Sequence, residues 1–413
     1  MDSYRFLDEL VSASDTGVYL VDVERFATNI TRFRDAFRAH YPDTTVAYSY
    51  KTNYLPAFCR RADELGCLAE VVSAMELELT ERLDVPGERV LFNGPAKSPA
   101  AERRALDAGI RVHVDSLDEV ATIERLHAGA KKRRPWRVVM RCHPGLEGLG
   151  DSRFGMDVER GDLDRAIGRI RALEDVDIVG LHAHICPPRR SAEVYGRLAR
   201  YLVEVAGSHL TVEEFATLNL GGGFYSPMPE SMASQWSHAI PTFEEYGEAV
   251  GQALGDALGA GKRPELILEP GISVTADTID FACRVVATKD VGGQQVAVTS
   301  GSVYDVKPSK ASNNQPLEVV SATSSDSGGE GADWLITGFT CMEDDVMYRG
   351  WSGPLEVGDI CVFGNVGAYS NVLRPPFIKP AAPMVVVDRE SATAGETVRR
   401  AETFEDVFGA YAL

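Results

Sequence analysis

The residues best able to do chemistry sit in a handful of short motifs. In VAYSYKTN, residues 46–53, Lys51 closes a β-rich run directly before a helix start. A lysine amine at such a strand end, partly desolvated, is a nucleophile toward aldehydes; the plain alternative is an exposed strand-end lysine. GLHAHI, residues 180–185, places His182 and His184 on one face of a strand, because side chains alternate with a period of two. Three readings stay open: a buried hydrogen-bonded pair, a site where both imidazoles share a cation, or the His184 ring lying flat against an aromatic cofactor. In NLGGGFY, residues 219–225, Gly221, Gly222 and Gly223 follow a strand and either cradle a phosphate with backbone N–H groups or make a tight turn. In LILEPGIS, residues 266–273, Glu269 ends an apolar strand, and a carboxylate there must be paired or protonated. A protonated ring nitrogen would be such a partner, and Gly271 in the following turn offers another amide to phosphate. TCMEDD (340–345) and GNVGAYS (364–370) add the thiol of Cys341, a carboxylate cluster that includes Glu343, and Tyr369, groups fitted to proton transfer and substrate contact.

Something must position these groups, and the chain from 46 to 270 repeats one unit, a β-rich run followed by a helical stretch. Candidate strands are residues 46–51, 68–73, 90–93, 112–115, 138–142, 178–185, 217–221 and 266–269. Eight alternating units are what a closed (β/α)8 TIM barrel requires, with an open doubly wound sheet as the alternative; in both, function gathers at the C-terminal ends of the strands. Beyond about residue 280 the texture becomes all-β, and Gly17–Val21 is expected to pair with that second domain. The polar, glycine-rich run Ser321–Ala332 is a candidate lid.

A length of 413 residues calls for two domains. The expected division is an N-terminal segment, 1–24, contributing to the β-domain, a barrel over 25–280, and a C-terminal β-domain over 281–413. Asp and Glu outnumber Lys and Arg by 61 to 42, a formal charge of -19, which excludes nucleic acid and anionic membranes as expected partners. Seven cysteines without framework spacing and a start lacking a signal-like apolar stretch give a cytoplasmic expectation.

Taken in order, YSYKTN, EVVSAMEL, MRCHP, SRFG, GLHAHI, LGGG, EPG, TCMEDD and GAYS resemble the fold-type III decarboxylases, the group of diaminopimelate, ornithine and arginine decarboxylases. The resemblance runs over roughly residues 15 to 380. It implies an alanine-racemase-like barrel followed by a β-domain, pyridoxal 5'-phosphate as cofactor, no metal, and a homodimer whose active sites each take groups from both subunits. On this resemblance Lys51 is the Schiff-base lysine, His184 the ring-stacking histidine, Gly221 to Gly223 the phosphate loop and Glu269 the partner of the ring nitrogen. Cys341 comes from the other subunit, Tyr369 lies near phosphate and substrate, and Glu70 and Arg141 lie beneath the cofactor. Glu343 and Tyr304 are the expected substrate contacts.

The sequence departs from the family pattern in places. Ile272 stands where EPGR has arginine, Cys186-Pro187 replaces the usual Gly-Ser, and Met342 replaces an acid. SGSVYDVKPS, residues 300–309, has neither the Asp-Gly of diamine-forming members nor the Arg-Pro of diaminopimelate enzymes. The resulting expectation is decarboxylation of a modified or conjugated (di)amino acid in a biosynthetic pathway such as siderophore or antibiotic synthesis, with Cys341 or His184 returning a proton to Cα. Diaminopimelate decarboxylase proper or a racemase of the same fold is the alternative; a metal-dependent barrel hydrolase or a non-catalytic cofactor-binding protein stands further off.

Overall fold

The computed structural model describes residues 3–129, 134–146, 152–261, 263–322, 333–388, 391 and 393–412. The chain divides into two compact units, one of residues 27–225 and 238–274, the other of residues 1–26, 226–237 and 275–413.

The first unit is the barrel. Its strands are β1 (Thr44–Ser49), β2 (Leu68–Val71), β3 (Val90–Phe92), β4 (Arg111–Val114), β5 (Trp136–His143), β6 (Val176–His182), β7 (Thr217–Asn219) and β8 (Glu265–Leu268). Each pairs in parallel with its neighbour, and β8 pairs with β1, which closes the ring. A two-residue strand, Met156–Asp157, attaches to the end of β5. The eight strands lie where alternation of β-rich and helical runs predicts them, with bounds differing by no more than three residues.

Because side chains alternate along a strand, the barrel interior fills in layers. At the N-terminal end Glu265 accepts from Thr45 Oγ1 at 2.7 Å and pairs with Arg111 at 3.1 Å. Two residues further along, Ala47, Leu68, Leu91 and Ile267 form a buried apolar plug. Two residues beyond that, at the C-terminal end, stand Ser49, Glu70, Asn93 and Glu269, all buried. Apolar packing below therefore fixes the height of a polar layer above.

Helices follow the strands with local signals that stop and start them. Pro56 opens the helix Pro56–Glu64, and Ser73 caps Ala74–Arg82 by accepting from the Glu76 amide, in keeping with proline at N1 and serine at the N-cap.

The second unit is mostly sheet. The strand Val18–Val21 pairs antiparallel with Ile279–Val291 and parallel with Met384–Asp388. The N-terminal run thus joins the β-domain as expected. Strands Leu317–Val320, Val346–Trp351 and Thr393–Arg399 were not legible, and residues 226–237 fold with this unit although they interrupt the barrel sequence. Arg374 and Asp305 form a buried ion pair inside it, with Tyr19 donating to the Asp305 carbonyl at 3.0 Å. Of the candidate lid, residues 323–332 lie outside the described residues.

Candidate active site

Every barrel strand delivers a polar group to the C-terminal end. Lys51 lies in a 3-10 turn, Tyr50–Thr52, just past β1, so the strand end is two residues earlier than expected. Its Nζ donates to Ser49 Oγ at 2.7 Å and pairs with Glu70, to which Ser49 also donates. The lysine side chain keeps 33% of its surface exposed while Glu70 keeps none. An amine anchored at one side and open at the other is placed to meet an incoming carbonyl.

Glu269 follows β8 and is 3% exposed. Its Oε1 accepts from Asn93 Nδ2 at 2.6 Å and from Asn219 Nδ2 at 2.7 Å, and Asn93 also donates to Glu70 at 3.1 Å. Burial first, and then the neighbouring Glu70 charge, raise the Glu269 pKa, against the pull of Lys51 and the two amides. Such a carboxyl gains from a cationic partner. The two asparagines were missed in the sequence, although each ends an apolar strand as Glu269 does, and a buried amide needs a partner for the same reason.

The paired histidines separate. His182 lies in β6 and faces His113 of β4, Nδ1 to Nδ1 at 3.0 Å. His184 lies beyond the strand and accepts the Gly222 N–H at Nδ1, 3.1 Å away. The reading in which both share a cation therefore fails geometrically. The donor atoms that do cluster are those of His113, His182 and Glu269, within 4.8 Å of one another, and the Nδ1 contact already engages the two imidazoles with each other. Burial, then Lys51, Arg141 and Arg190, hold the His184 pKa down to about 3, so its ring is neutral.

The glycine loop is committed in part within the protein. Gly221 N–H donates to Asn219 Oδ1 at 2.8 Å, and Gly222 N–H to His184. A Cβ on Gly221 would come within 2.6 Å of His184 Nδ1, one on Gly222 within 2.2 Å of the Glu269 carbonyl oxygen, and one on Gly271 within 2.1 Å of Thr52 Oγ1. Close approach thus demands glycine at all three positions. Arg141 pairs with Asp115 at 2.8 Å and stacks at 4.6 Å over Phe154 of the SRFG motif.

The remaining expected residues lie in the second unit. Cys341 and Glu343 are exposed. The Tyr304 hydroxyl donates to Met342 Sδ at 3.4 Å, and Asp345 accepts from the Val303 amide at 2.6 Å, so the TCMEDD segment and the short helix Val303–Val306 form one cluster. Tyr369 holds a left-handed φ of 63°, unusual for an aromatic residue.

A family model described as pyridoxal-dependent decarboxylase, pyridoxal binding domain, matches residues 27–276. The chain belongs to this family. The diaminopimelate decarboxylase of Actinosynnema pretiosum subsp. auranticum is 32% identical over 395 residues, covering 90% of this chain and 84% of its own length. That of Methanocaldococcus jannaschii is 27% identical over 428 residues, covering 97% and 92%. A crystal structure of diaminopimelate decarboxylase from M. jannaschii superposes with a TM-score of 0.86 at 25% identity, over 98% of this chain and 94% of that one. The protein is thus a pyridoxal-phosphate-dependent amino-acid decarboxylase on an alanine-racemase-like barrel with a separate sheet domain.

The decarboxylase's own residues suit this cofactor. Glu269 is a buried carboxyl in want of a cation, Lys51 an accessible amine, His184 a neutral ring, and the glycines line a loop that any Cβ would obstruct. Among the described residues no helix is long and apolar enough to cross a membrane.

Proposed function

We propose that this decarboxylase removes one carboxylate of diaminopimelate, releasing CO2 and lysine. What carries the reading is that relatives named diaminopimelate decarboxylase align along nearly the whole chain, the second unit included. They favour the alternative in the sequence reading over a conjugated substrate.

Bound pyridoxal phosphate supplies an electron sink for the pair left when the Cα–carboxylate bond breaks. In this proposal Lys51 would hold the cofactor through its amine, and Glu269 would face its ring nitrogen and favour its protonated form. His184, neutral and already accepting at Nδ1, suits ring contact better than proton donation. Return of a proton to Cα then falls to Cys341, whose exposure suits a thiol offered to a second copy of the chain. A homodimer with shared sites, working in the cytoplasm, is part of the proposal.

Phosphate needs a cation that Ile272 does not supply. Arg190 is a candidate the sequence did not reveal: it stacks 5.1 Å from the Tyr225 ring and helps to depress the His184 pKa. No carboxylate pairs with it among the described residues.

A second reading retains a modified or conjugated amino acid, favoured by Met342 beside Tyr304 where an acid would otherwise bind a free amine. One experiment separates them: CO2 release and product mass across meso-diaminopimelate, lysine, ornithine, arginine and N-acylated diamino acids. Turnover of diaminopimelate above the others supports the first reading, and turnover confined to the acylated compounds replaces it with the second. Interconversion of stereoisomers with all carbon retained would mark a racemase and overturn both.

A further inference from the structure

Glu269 has two oxygens, and the asparagines hold only one. The other, Oε2, faces His182 Nε2 at 3.8 Å. His182 in turn meets His113 edge to face, with centroids 4.8 Å apart and planes at 74°, and the two Nδ1 atoms lie 3.0 Å apart. Both rings are 1% exposed. A contact between two ring nitrogens holds one hydrogen, so one imidazole donates through Nδ1 and the other accepts.

Both rings are neutral. Burial is the main cause, with Arg111 and Lys97 acting next on His113, and His113 and Arg141 on His182. Each ring therefore carries one N–H, and only two arrangements exist. In one, His113 donates from Nδ1 and His182 turns its Nε2–H toward Glu269. In the other, His182 donates from Nδ1 and presents a bare lone pair to a buried carboxylate. Repulsion between unshielded lone pairs in a dry barrel disfavours the second.

We infer that His113 and His182 form a tautomer relay that orients Glu269: His113 Nδ1–H donates to His182 Nδ1, and His182 Nε2–H faces Glu269 Oε2. The inference rests on the reading of Glu269 as partner of the cofactor ring nitrogen. At 3.8 Å the last step is a dipole facing a charge rather than a full hydrogen bond, so both histidines are positioning residues. The relay has a fixed footing, because the His113 carbonyl accepts from Lys97 Nζ at 2.7 Å and Lys97 is itself paired with Glu119 and bound to the Gly94 carbonyl at 2.8 Å.

The test is the nitrogen spectrum of histidine-labelled holoenzyme, read through two-bond 15N correlations. The relay requires a protonated Nδ1 on His113 and a protonated Nε2 on His182; the reverse pattern overturns it. Two variants give an independent reading. His113→Asn keeps a side-chain N–H where Nδ1 stood, while His113→Leu removes it. Loss of the donor in His113→Leu is expected to weaken cofactor binding about tenfold and to lower kcat with little change in KM, while His113→Asn stays near wild type. Equal losses in both variants, or none in either, overturn the relay and leave the function reading intact. If His113→Leu does not fold, the wild-type spectrum and His113→Asn decide. A wild-type protein that takes up no cofactor would overturn the function reading and the relay together.

Discussion

Glu269→Gln separates the needs of the cofactor from those of the fold. The carboxyl is fully buried and its pKa is raised, by burial first and by Glu70 second. A raised carboxyl contributes its stability below the unfolded value, near 4.5, and loses it as pH climbs through the folded value. Cofactor-free wild-type protein at pH 7.5 therefore carries a penalty of about 1.4 kcal/mol for every pKa unit of the rise. Glutamine is the same size, its carbonyl still accepts from Asn93 and Asn219, and it has no charge to desolvate. The cofactor-free variant should be more stable than wild type at pH 7.5 by about 1 to 3 kcal/mol, and the gap should close as pH falls toward 4.5. With cofactor the order reverses. A charge-assisted hydrogen bond to the ring nitrogen, worth about 1.5–3 kcal/mol, is lost, so binding weakens roughly 10- to 100-fold and CO2 release falls by about 100-fold or more. Urea unfolding of the cofactor-free proteins at several pH values, cofactor titration and CO2 release measure the three quantities. A variant less stable than wild type without cofactor, or one that decarboxylates within tenfold of wild type, would refute the reasoning.

Further outcomes follow from single contacts. Lys51→Ala should lose both the visible absorption of lysine-bound cofactor and CO2 release, and the cofactor-free variant should lose stability in urea unfolding because Glu70, whose side chain is 0% exposed, is deprived of this cation. Gly222→Ala puts a Cβ 2.2 Å from the Glu269 carbonyl oxygen, which is backbone and cannot swing aside; a destabilisation of about 1–3 kcal/mol with weaker cofactor binding is expected, read by thermal melting and titration. Arg374→Leu strands Asp305, which is 0% exposed, and should cost about 3–5 kcal/mol in urea unfolding, whereas replacing both partners with apolar residues should recover much of that loss. Mixing Lys51→Ala with Cys341→Ala protein should restore CO2 release if sites are shared between copies; no recovery after subunit exchange would argue for sites complete within one chain.

What could be read beforehand divides by range. The barrel strands were legible because each is a short β-rich run beside an amphipathic helix, a local pattern, and register then carries Glu70 and Glu269 to one layer through a period of two. Lys51 and Glu269 stood out by the same local logic, a charge closing an apolar strand. His113, Asn93 and Asn219 did not, because the contact that draws each into the cluster is with a partner 69, 176 and 50 residues away. Histidine pairing was misjudged for a geometric reason. Alternation places His182 and His184 on one face only while the strand lasts, and β6 ends at His182. In the sheet unit, Thr393–Arg399 is mostly exposed and carries little of the apolar alternation that reveals a strand.

The layered barrel also separates the polar layer from the departures around it. The plug of Ala47, Leu68, Leu91 and Ile267 sets the height of Ser49, Glu70, Asn93 and Glu269 through backbone register, so this polar layer is placed by apolar packing two residues below. Loops are under no such constraint. Cys186 and Pro187 follow the end of β6, and Ile272 opens the short helix Ile272–Thr275 after β8, where exchange of one side chain leaves the strand register untouched. Substitutions that distinguish this chain from the family pattern accordingly fall outside the strands, while Glu70, Asn93 and Glu269 occupy the rigid layer and Lys51 stands in the turn two residues beyond Ser49. On the proposed function, chemistry at Cα rests on this core layer, and the identity of the amino acid is left to residues outside it.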